Sequence, residues 1–319
     1  MQPLDGLLVA DLSRYLPGAY ATQELQRLGA RVVRLEPPEG DPLRHTAPGW
    51  HDALNGGKES VACDLKREPE LGRALCARAD VVVESFRPGV AARLGVGPAD
   101  VPETVVYCSL TGFGTGGRHE LRAGHDVNYL GWAGALHDTA PANPPLQVAD
   151  LAAGALAAVA EILAALLQRG RTGRGRHVVV SMTHGSHRLI SHRLGGDPRP
   201  RFLTGALACY RLYETADGRH LTVGALEPKF FVRLCELLGR PELAERQYEE
   251  DQETLAAELA VEFRRFPLEE WLARLGDEDT CVGPVWSVAE AAAEFGDGAR
   301  VRAPGLGEHT ERWRRELVA

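Results

Sequence analysis

The feature that most constrains this chain is the alternation of short apolar runs with helical patterns in its first part. Gly6–Leu12 (GLLVADL) is an almost unbroken apolar run, the pattern of a strand buried on both faces. Pro17-Gly18 opens a helix whose Ala21, Leu25 and Leu28 fall on one face, and Gly29 stops it. Arg31–Glu36 (RVVRLE) is a second strand, which completes a βαβ unit. Further along, Asp64–Ala79 reads as helical in its later part, and Val81–Glu84 and Val105–Leu110 read as strands. Asp150–Arg169 reads as a long helix, Gly170–Arg176 as a basic glycine loop and His177–Met182 as a strand. This order predicts an α/β fold with a largely parallel sheet covered on both faces.

The pattern changes after about residue 190. The turn-rich Gly195–Pro200 reads as a linker. Tyr210–Thr215 and Leu221–Leu226, joined through Asp217-Gly218, read as a hairpin. Helices are expected at Lys229–Leu238, Thr254–Phe266 and Leu268–Leu275, a strand at Cys281–Val285, and a capping-box helix start at Ser287–Glu290. The chain therefore divides into a large domain over 1–190, to which 286–319 returns, and a smaller α+β domain over 205–285.

Charge and composition exclude some function classes. A net charge of −8 argues against duplex nucleic acid as a partner, since phosphate binding needs a basic face. The six cysteines include no C-x-x-C pair, the pattern of reduced, buried thiols in a cytoplasmic protein. The N-terminal MQPLDGLLVADLSR lacks a basic region followed by an apolar core, so no secretory signal is expected. The longest apolar stretch, Leu151–Leu167, is mostly alanine and contains Glu161; it reads as a core helix rather than a membrane span.

Several motifs carry chemistry only in combination. Gly112-Phe-Gly114-Thr-Gly-Gly117 fits G-x-G-x-x-G after a strand. The residues after it do not open an amphipathic helix, however, and the first βαβ turn, where a dinucleotide fingerprint normally lies, reads Ser13-Arg-Tyr-Leu-Pro-Gly instead. His184, His187 and His192 lack H-E-x-x-H, so no metal site is expected from them. No G-x-S-x-G elbow is present. Taken singly, Asp150 reads as an N-cap of the long helix, Glu227 as a cap before Pro228, and His125 as a structural histidine in a loop.

Together these residues resemble a known pattern. GHDVNY (Gly124–Tyr129), LQVADLAAG (Leu146–Gly154) and ADGRHLTVGALEPKFF (Ala216–Phe231) resemble the α-methylacyl-CoA racemases of the family III CoA-transferase (CaiB/BaiF) superfamily. So do VADLSRYLPGAYATQELQRLGARVVRLEPP, KESVACDLK, VVESFRPGVAARLGVG, YCSLTGFGTGG, GRTGRGRHVVVSM, CVGPV and GEHTE, which spread the likeness over nearly the whole length. The resemblance implies a Rossmann-like large domain, a smaller α+β domain and an interlocked homodimer. It also implies His125 and Asp150 as the acid–base pair that inverts the α-carbon of a 2-methylacyl-CoA, with Glu227 supporting the imidazole. Coenzyme A would enter as part of the acyl-CoA substrate, with no permanently bound cofactor and no metal. Lys66, Arg87, Arg93, Gly112, Gly114, Gly124, Asp126 and Tyr129 are the implied coenzyme contacts.

The residue types suit this chemistry. Inverting a carbon next to a thioester needs a base on one face and a proton donor on the other. The enolate oxygen needs preorganised donors, and backbone N–H groups near His125-Asp126 or after Asp150 are the candidates. Asp150 must be protonated for part of the cycle, so a dry pocket has to oppose the helix end's preference for its charged form. Transferases of the superfamily use the equivalent aspartate as a nucleophile and generally lack this histidine and glutamate, which leaves CoA transfer through an Asp150 anhydride as the alternative. A non-catalytic acyl-CoA-binding relative is a third reading. The chain departs from the pattern at Pro37-Pro38, where relatives read Arg-Pro, and at Asn55-Gly56-Gly57-Lys58, where they often read Asn-Arg-x-Lys. It is also shortened between about Glu294 and Gly307. Only Met1 and Met182 are present, whereas these racemases can line the acyl channel with methionine; a shorter or more functionalised acyl group is therefore open.

Overall fold

The computed structural model describes residues 1–195, 201–296 and 301–318. All of the expected linker beyond Gly195, and part of the shortened stretch near the C-terminus, lie outside the described residues. The chain forms two compact units, Met1–His192 with Ala299–Ala319, and Arg193–Gly298.

The first unit is built on β1 (Leu8–Asp11), β2 (Arg31–Glu36), β3 (Glu59–Ala62), β4 (Val81–Glu84), β5 (Val106–Thr111) and β6 (His177–Ser181). All neighbours pair parallel, in the order β3-β2-β1-β4-β5-β6. This is the doubly wound order in which the topology reverses between β1 and β4. Alternate strand residues supply two cores. Val9, Val81, Val83, Val106 and Leu110 join Leu25 and Ile162 on one face, while Ala10, Val82 and Tyr107 join Leu75 and Trp313 on the other. Each fully buried aliphatic side chain of this kind contributes about 1.5–3 kcal/mol.

The helices of this unit are α1 (Tyr15–Arg27), α2 (Leu43–Thr46), α3 (Pro48–Asn55), α4 (Pro69–Arg78), α5 (Val90–Arg93), α6 (Asp126–Trp132), α7 (Ala157–Thr172) and α8 (Met182–Leu189). The C-terminal α13 (Thr310–Val318) returns to the same unit. It is anchored by buried Trp313, whose indole N–H donates to Glu59 at 2.6 Å and whose ring stacks under Arg31. β3 and α6 are absent from the sequence-based expectation: ESVA is too short to show alternation, and DVNYLGW has no amphipathic period.

The long helix differs from expectation at both ends. It begins with a π-helical segment, Ala149–Leu156, continues as α7, and stops at Gly173, which takes the left-handed conformation. The segment packs against α8 at contact distance: a Cβ on Gly154 would fall 2.9 Å from Met182 Cγ. Its run of alanine and glycine permits that approach. By length and apolar composition alone Ala149–Thr172 is sufficient to cross a membrane. In this structure Ala153, Ala155, Ala158, Ile162 and Ala165 are buried in the unit's core.

The second unit holds an antiparallel sheet of β7 (Tyr210–Glu214), β8 (His220–Gly224) and β9 (Val282–Pro284), in that order. The helices α9 (Pro228–Leu237), α10 (Gln252–Phe263), α11 (Leu268–Leu275) and α12 (Val288–Phe295) complete it. Its core gathers Leu221, Val223, Phe231, Leu234, Leu259, Phe263 and Trp271. The unit runs on past residue 285 because α12 belongs to it. Ser287 caps that helix, and Glu290 bonds Arg219 at 2.7 Å. All six cysteines are free; five are buried, and Cys281 is exposed with φ 52°.

Candidate active site

The crevice beyond the carboxyl ends of β1, β4 and β5 holds a cavity of about 370 Å³. Its walls include Arg14 and Tyr15 after β1, Ser85–Pro88 after β4, and Gly112 after β5. Glu120, Arg122, Gly124, His125, Tyr129, Asp150 and Met182 complete it. This is where a doubly wound sheet binds ligands, since the chain diverges to either side of the reversal and leaves a gap.

His125 and Asp150 thus face one cavity. His125 is the N-cap of α6 and is exposed; its backbone N–H donates to Asn128 Oδ1 at 3.0 Å. Asp150 is half-buried in the first turn of the π-helical segment, where Val148, not Asp150, occupies the cap position. Burial, with the carboxylate of Asp126 beside it, pushes the Asp150 carboxyl up to about 7. Asp126 is 9% exposed and its Oδ1 accepts the Asp150 N–H at 2.9 Å; its side chain does not line the cavity.

Tyr129 explains two of the glycines. Its hydroxyl donates to the Gly124 carbonyl. A Cβ on Gly112 would sit 2.6 Å from the ring, and one on Gly124 would sit 2.7 Å from it. Both positions must be glycine for the ring to close the floor of the cavity. Burial and the nearby carboxylates of Asp150 and Asp126 raise the Tyr129 phenol to about 12. Gly114 (φ +82°) turns away from this floor and lies against His184, lining a separate groove. His184 bonds Ser181, and His187 bonds the Ala133 carbonyl. Among the described residues no three His, Cys, Asp or Glu side chains are grouped so as to hold a metal.

A second cavity of about 420 Å³ opens beyond β2 and β3, lined by Pro37, Pro38, Glu39, Cys63–Arg67 and Leu94. Arg14 and Phe86 line both cavities, so the two adjoin. Of the implied coenzyme contacts, Lys66 lines the second cavity and Arg87 the first. Arg93 is exposed on α5 and lines neither. Glu227 lies in the other unit, exposed at the N-terminus of α9, where its side chain makes no capping bond.

Arg14, Tyr15 and Arg122 were not singled out from the sequence. The signal for the first two was present: Ser13-Arg-Tyr replaces the glycine fingerprint at the turn where ligands approach β1. Tyr15 has φ 63°, a conformation costly for a bulky residue. A buried ionic network holds it there. Asp41 accepts the Tyr15 N–H at 3.2 Å and Arg34 Nη2 at 2.8 Å, while Arg34 also bonds the Ser13 carbonyl. Asp11 lies 3.6 Å from Arg34 and 3.8 Å from Lys58.

The two sequence departures acquire a physical meaning here. Lys58 is buried and donates to the Ala19 carbonyl, Thr22 and Asn55; burial pushes it down to about 7. A Cβ on Gly56 would fall 2.0 Å from the Val301 carbonyl oxygen, so no larger residue fits while the C-terminal segment runs there. Pro37 and Pro38 line the second cavity without adding charge to it.

A doubly wound sheet with an imidazole and a near-neutral carboxyl on one crevice cavity defines an α/β protein with a candidate acid–base site. Residues 4–309 match the family model for CoA-transferase family III, and the chain belongs to that family. It is 35% identical over 309 residues to the α-methylacyl-CoA racemase of Mus musculus, covering 90% of this chain and 79% of that protein. It is 30% identical over 326 residues to the succinyl-CoA:glutarate CoA-transferase of Mus musculus, covering 92% and 74%. Among solved structures, a CaiB/BaiF family protein from Brucella suis superposes with a TM-score of 0.85 at 29% identity, covering 99% of both chains. Family III relatives of both kinds are thus similar to this chain, and both are acyl-CoA enzymes.

Proposed function

We propose that the protein is a racemase or epimerase that inverts the α-carbon of a 2-methylacyl-CoA thioester by 1,1-proton transfer through an enolate. The observation that carries this reading is the shared cavity of His125 and Asp150, with the Asp150 carboxyl held near neutrality. A group balanced between its two protonation states serves as base in one direction and acid in the other. In one direction the imidazole of His125 takes the α-proton and protonated Asp150 delivers a proton to the opposite face; the reverse direction exchanges the roles. The enolate oxygen takes hydrogen bonds from backbone N–H groups at the start of α6. Glu227 supports the imidazole in this reading, as the resemblance implies.

Coenzyme A arrives as part of the substrate, its reactive end in the first cavity and its polar end towards Lys66 in the second. The adjoining of the two cavities at Arg14 and Phe86 supports that path. No permanently bound cofactor or metal is invoked. Homodimer formation is part of the proposal, supported by the exposed apolar stripe of Ala160, Ala164 and Leu167 along α7. Six free thiols support a reducing, cytoplasmic location.

The similarity to a CoA-transferase favours a second reading, in which Asp150 attacks the thioester and forms a mixed anhydride. One experiment separates the two. Wild-type protein incubated with 2-methylacyl-CoAs in deuterated water, without a second carboxylic acid, should wash deuterium into the α-position. His125→Ala and Asp150→Asn should each slow this by about 100-fold or more. Absence of exchange, with CoA transfer on adding an acceptor acid, would establish the second reading.

A further inference from the structure

The carboxylate of Asp126 is buried 24 residues away in sequence from the group it contacts, and it bonds a backbone amide rather than facing the cavity. That amide belongs to Asp150. Asp126 itself follows directly on His125, at the first position of α6. The bond therefore ties the helix that carries the imidazole to the π-helical segment that carries the carboxyl. We propose that Asp126 is a positioning residue that acts through Asp150, holding its amide with one carboxylate and setting a second acidic group beside its carboxyl.

The inference rests on the racemase reading for its purpose and on geometry for its content. Proton transfer to both faces of one carbon tolerates little displacement of either carrier, and a misplacement of about 1 Å costs on the order of 100-fold in rate. A like charge next to a half-buried carboxyl disfavours its ionised form. Asp126 is set to do both. The other charged groups around Asp150 do not duplicate it. Arg14, Arg87 and Arg122 line the same cavity, but the shift of the Asp150 carboxyl comes from burial and Asp126. Glu120, on the same wall, accepts the Gly116 N–H instead. Of the cavity's titratable rings, Tyr15 follows β1 with its backbone N–H on Asp41, Tyr129 has its hydroxyl on Gly124, and His125 is the proposed partner in proton transfer. On α8, which packs on the same segment, the His184 and His187 rings are held by Ser181 and the Ala133 carbonyl.

The test is a carboxyl ¹³C NMR titration of ligand-free, aspartate-labelled protein, with the Asp150 signal assigned by its loss in Asp150→Asn. Wild-type Asp150 should titrate well above an ordinary aspartate. In Asp126→Asn, which keeps an acceptor for the amide but removes the charge, the midpoint should fall by about 1 pH unit. The pH limb of α-deuterium exchange assigned to Asp150 should move by the same amount, with KM within about twofold of wild type. Asp126→Ala, which also frees the amide, should lower exchange at the optimum by about tenfold or more. An Asp150 midpoint at the ordinary aspartate value in wild type, or one unchanged in Asp126→Asn, overturns the proposal. The titration needs no turnover, so a wild type that exchanges no α-proton would remove the racemase reading and leave the titration to decide this one.

Discussion

Gly112 and Tyr129 are in such close register that a Cβ on the glycine would lie 2.6 Å from ring carbon Cε1. The glycine directly follows β5 and the tyrosine sits in α6, so their contact joins the sheet side of the cavity to the helix that presents His125. Replacing Gly112 by alanine should push the ring out of place and destabilise the fold by about 1–3 kcal/mol, as overpacking does elsewhere. Thermal unfolding reads the stability change, and activity should fall with it. An unchanged melting temperature and full activity would mean the ring has room that the structure does not show.

The elevated carboxyl of Asp150 makes stability depend on pH in a definite direction. Between the ordinary aspartate value of 3.8 and the folded value of about 7, the folded state binds more protons than the unfolded one. Unfolding free energy therefore falls as pH rises through that window. Asp150→Asn should remove this contribution, on the order of 2 kcal/mol for a half-buried group, and flatten the profile between pH 4 and 7. Denaturant midpoints across that range check it; parallel profiles for the two proteins would contradict the sign.

Asp41 carries more than a salt bridge. It accepts Arg34 and the amides of Tyr15 and Leu43, and Tyr15 lines the first cavity. Asp41→Ala should cost about 3–5 kcal/mol, because it leaves the buried Arg34 guanidinium without its closest partner. Asp41→Asn should cost less. Urea unfolding of the two variants, read side by side, distinguishes loss of charge from loss of the acceptor.

Restoring arginine at position 56 should not strengthen coenzyme binding in this chain. The Val301 carbonyl occupies the space that a Cβ would need. Gly56→Arg should lower stability by about 1–3 kcal/mol and loosen the C-terminal segment. Faster limited proteolysis near residue 301 is the measurement, and tighter binding of an acyl-CoA with unchanged stability would refute the argument.

Much of the first unit was legible because parallel strands buried on both faces carry short apolar runs. Leu8–Asp11, Arg31–Glu36 and Val81–Glu84 appear in the sequence nearly as they appear in the fold. Glu59–Ala62 did not show itself, since it has only four residues, and of the two that are buried one is a serine. Asp126–Trp132 was hidden because its buried face, Asp126, Tyr129 and Leu130, includes an aspartate, while the apolar Val127 and Trp132 are exposed. The π-helical start of the long helix was invisible for another reason: alanine and glycine accept either winding, and close packing on α8 accompanies the wider one.

His125, Asp150 and Glu227 were named from the resemblance, which also implied that His125 and Asp150 serve one carbon, but local pattern alone shows no shared space. By itself the sequence determined the alternation of elements, a largely parallel sheet covered on both faces and the residue types available for acid–base chemistry, because local periodicity and composition write those directly into the chain. Only the tertiary structure decided that His125 and Asp150 open onto one cavity, that Asp126 turns inward to the Asp150 amide, and that an ionic network beneath the surface holds Tyr15 in its strained conformation. These depend on side chains brought together from distant parts of the chain, and on the low dielectric their packing creates, neither of which a linear pattern records.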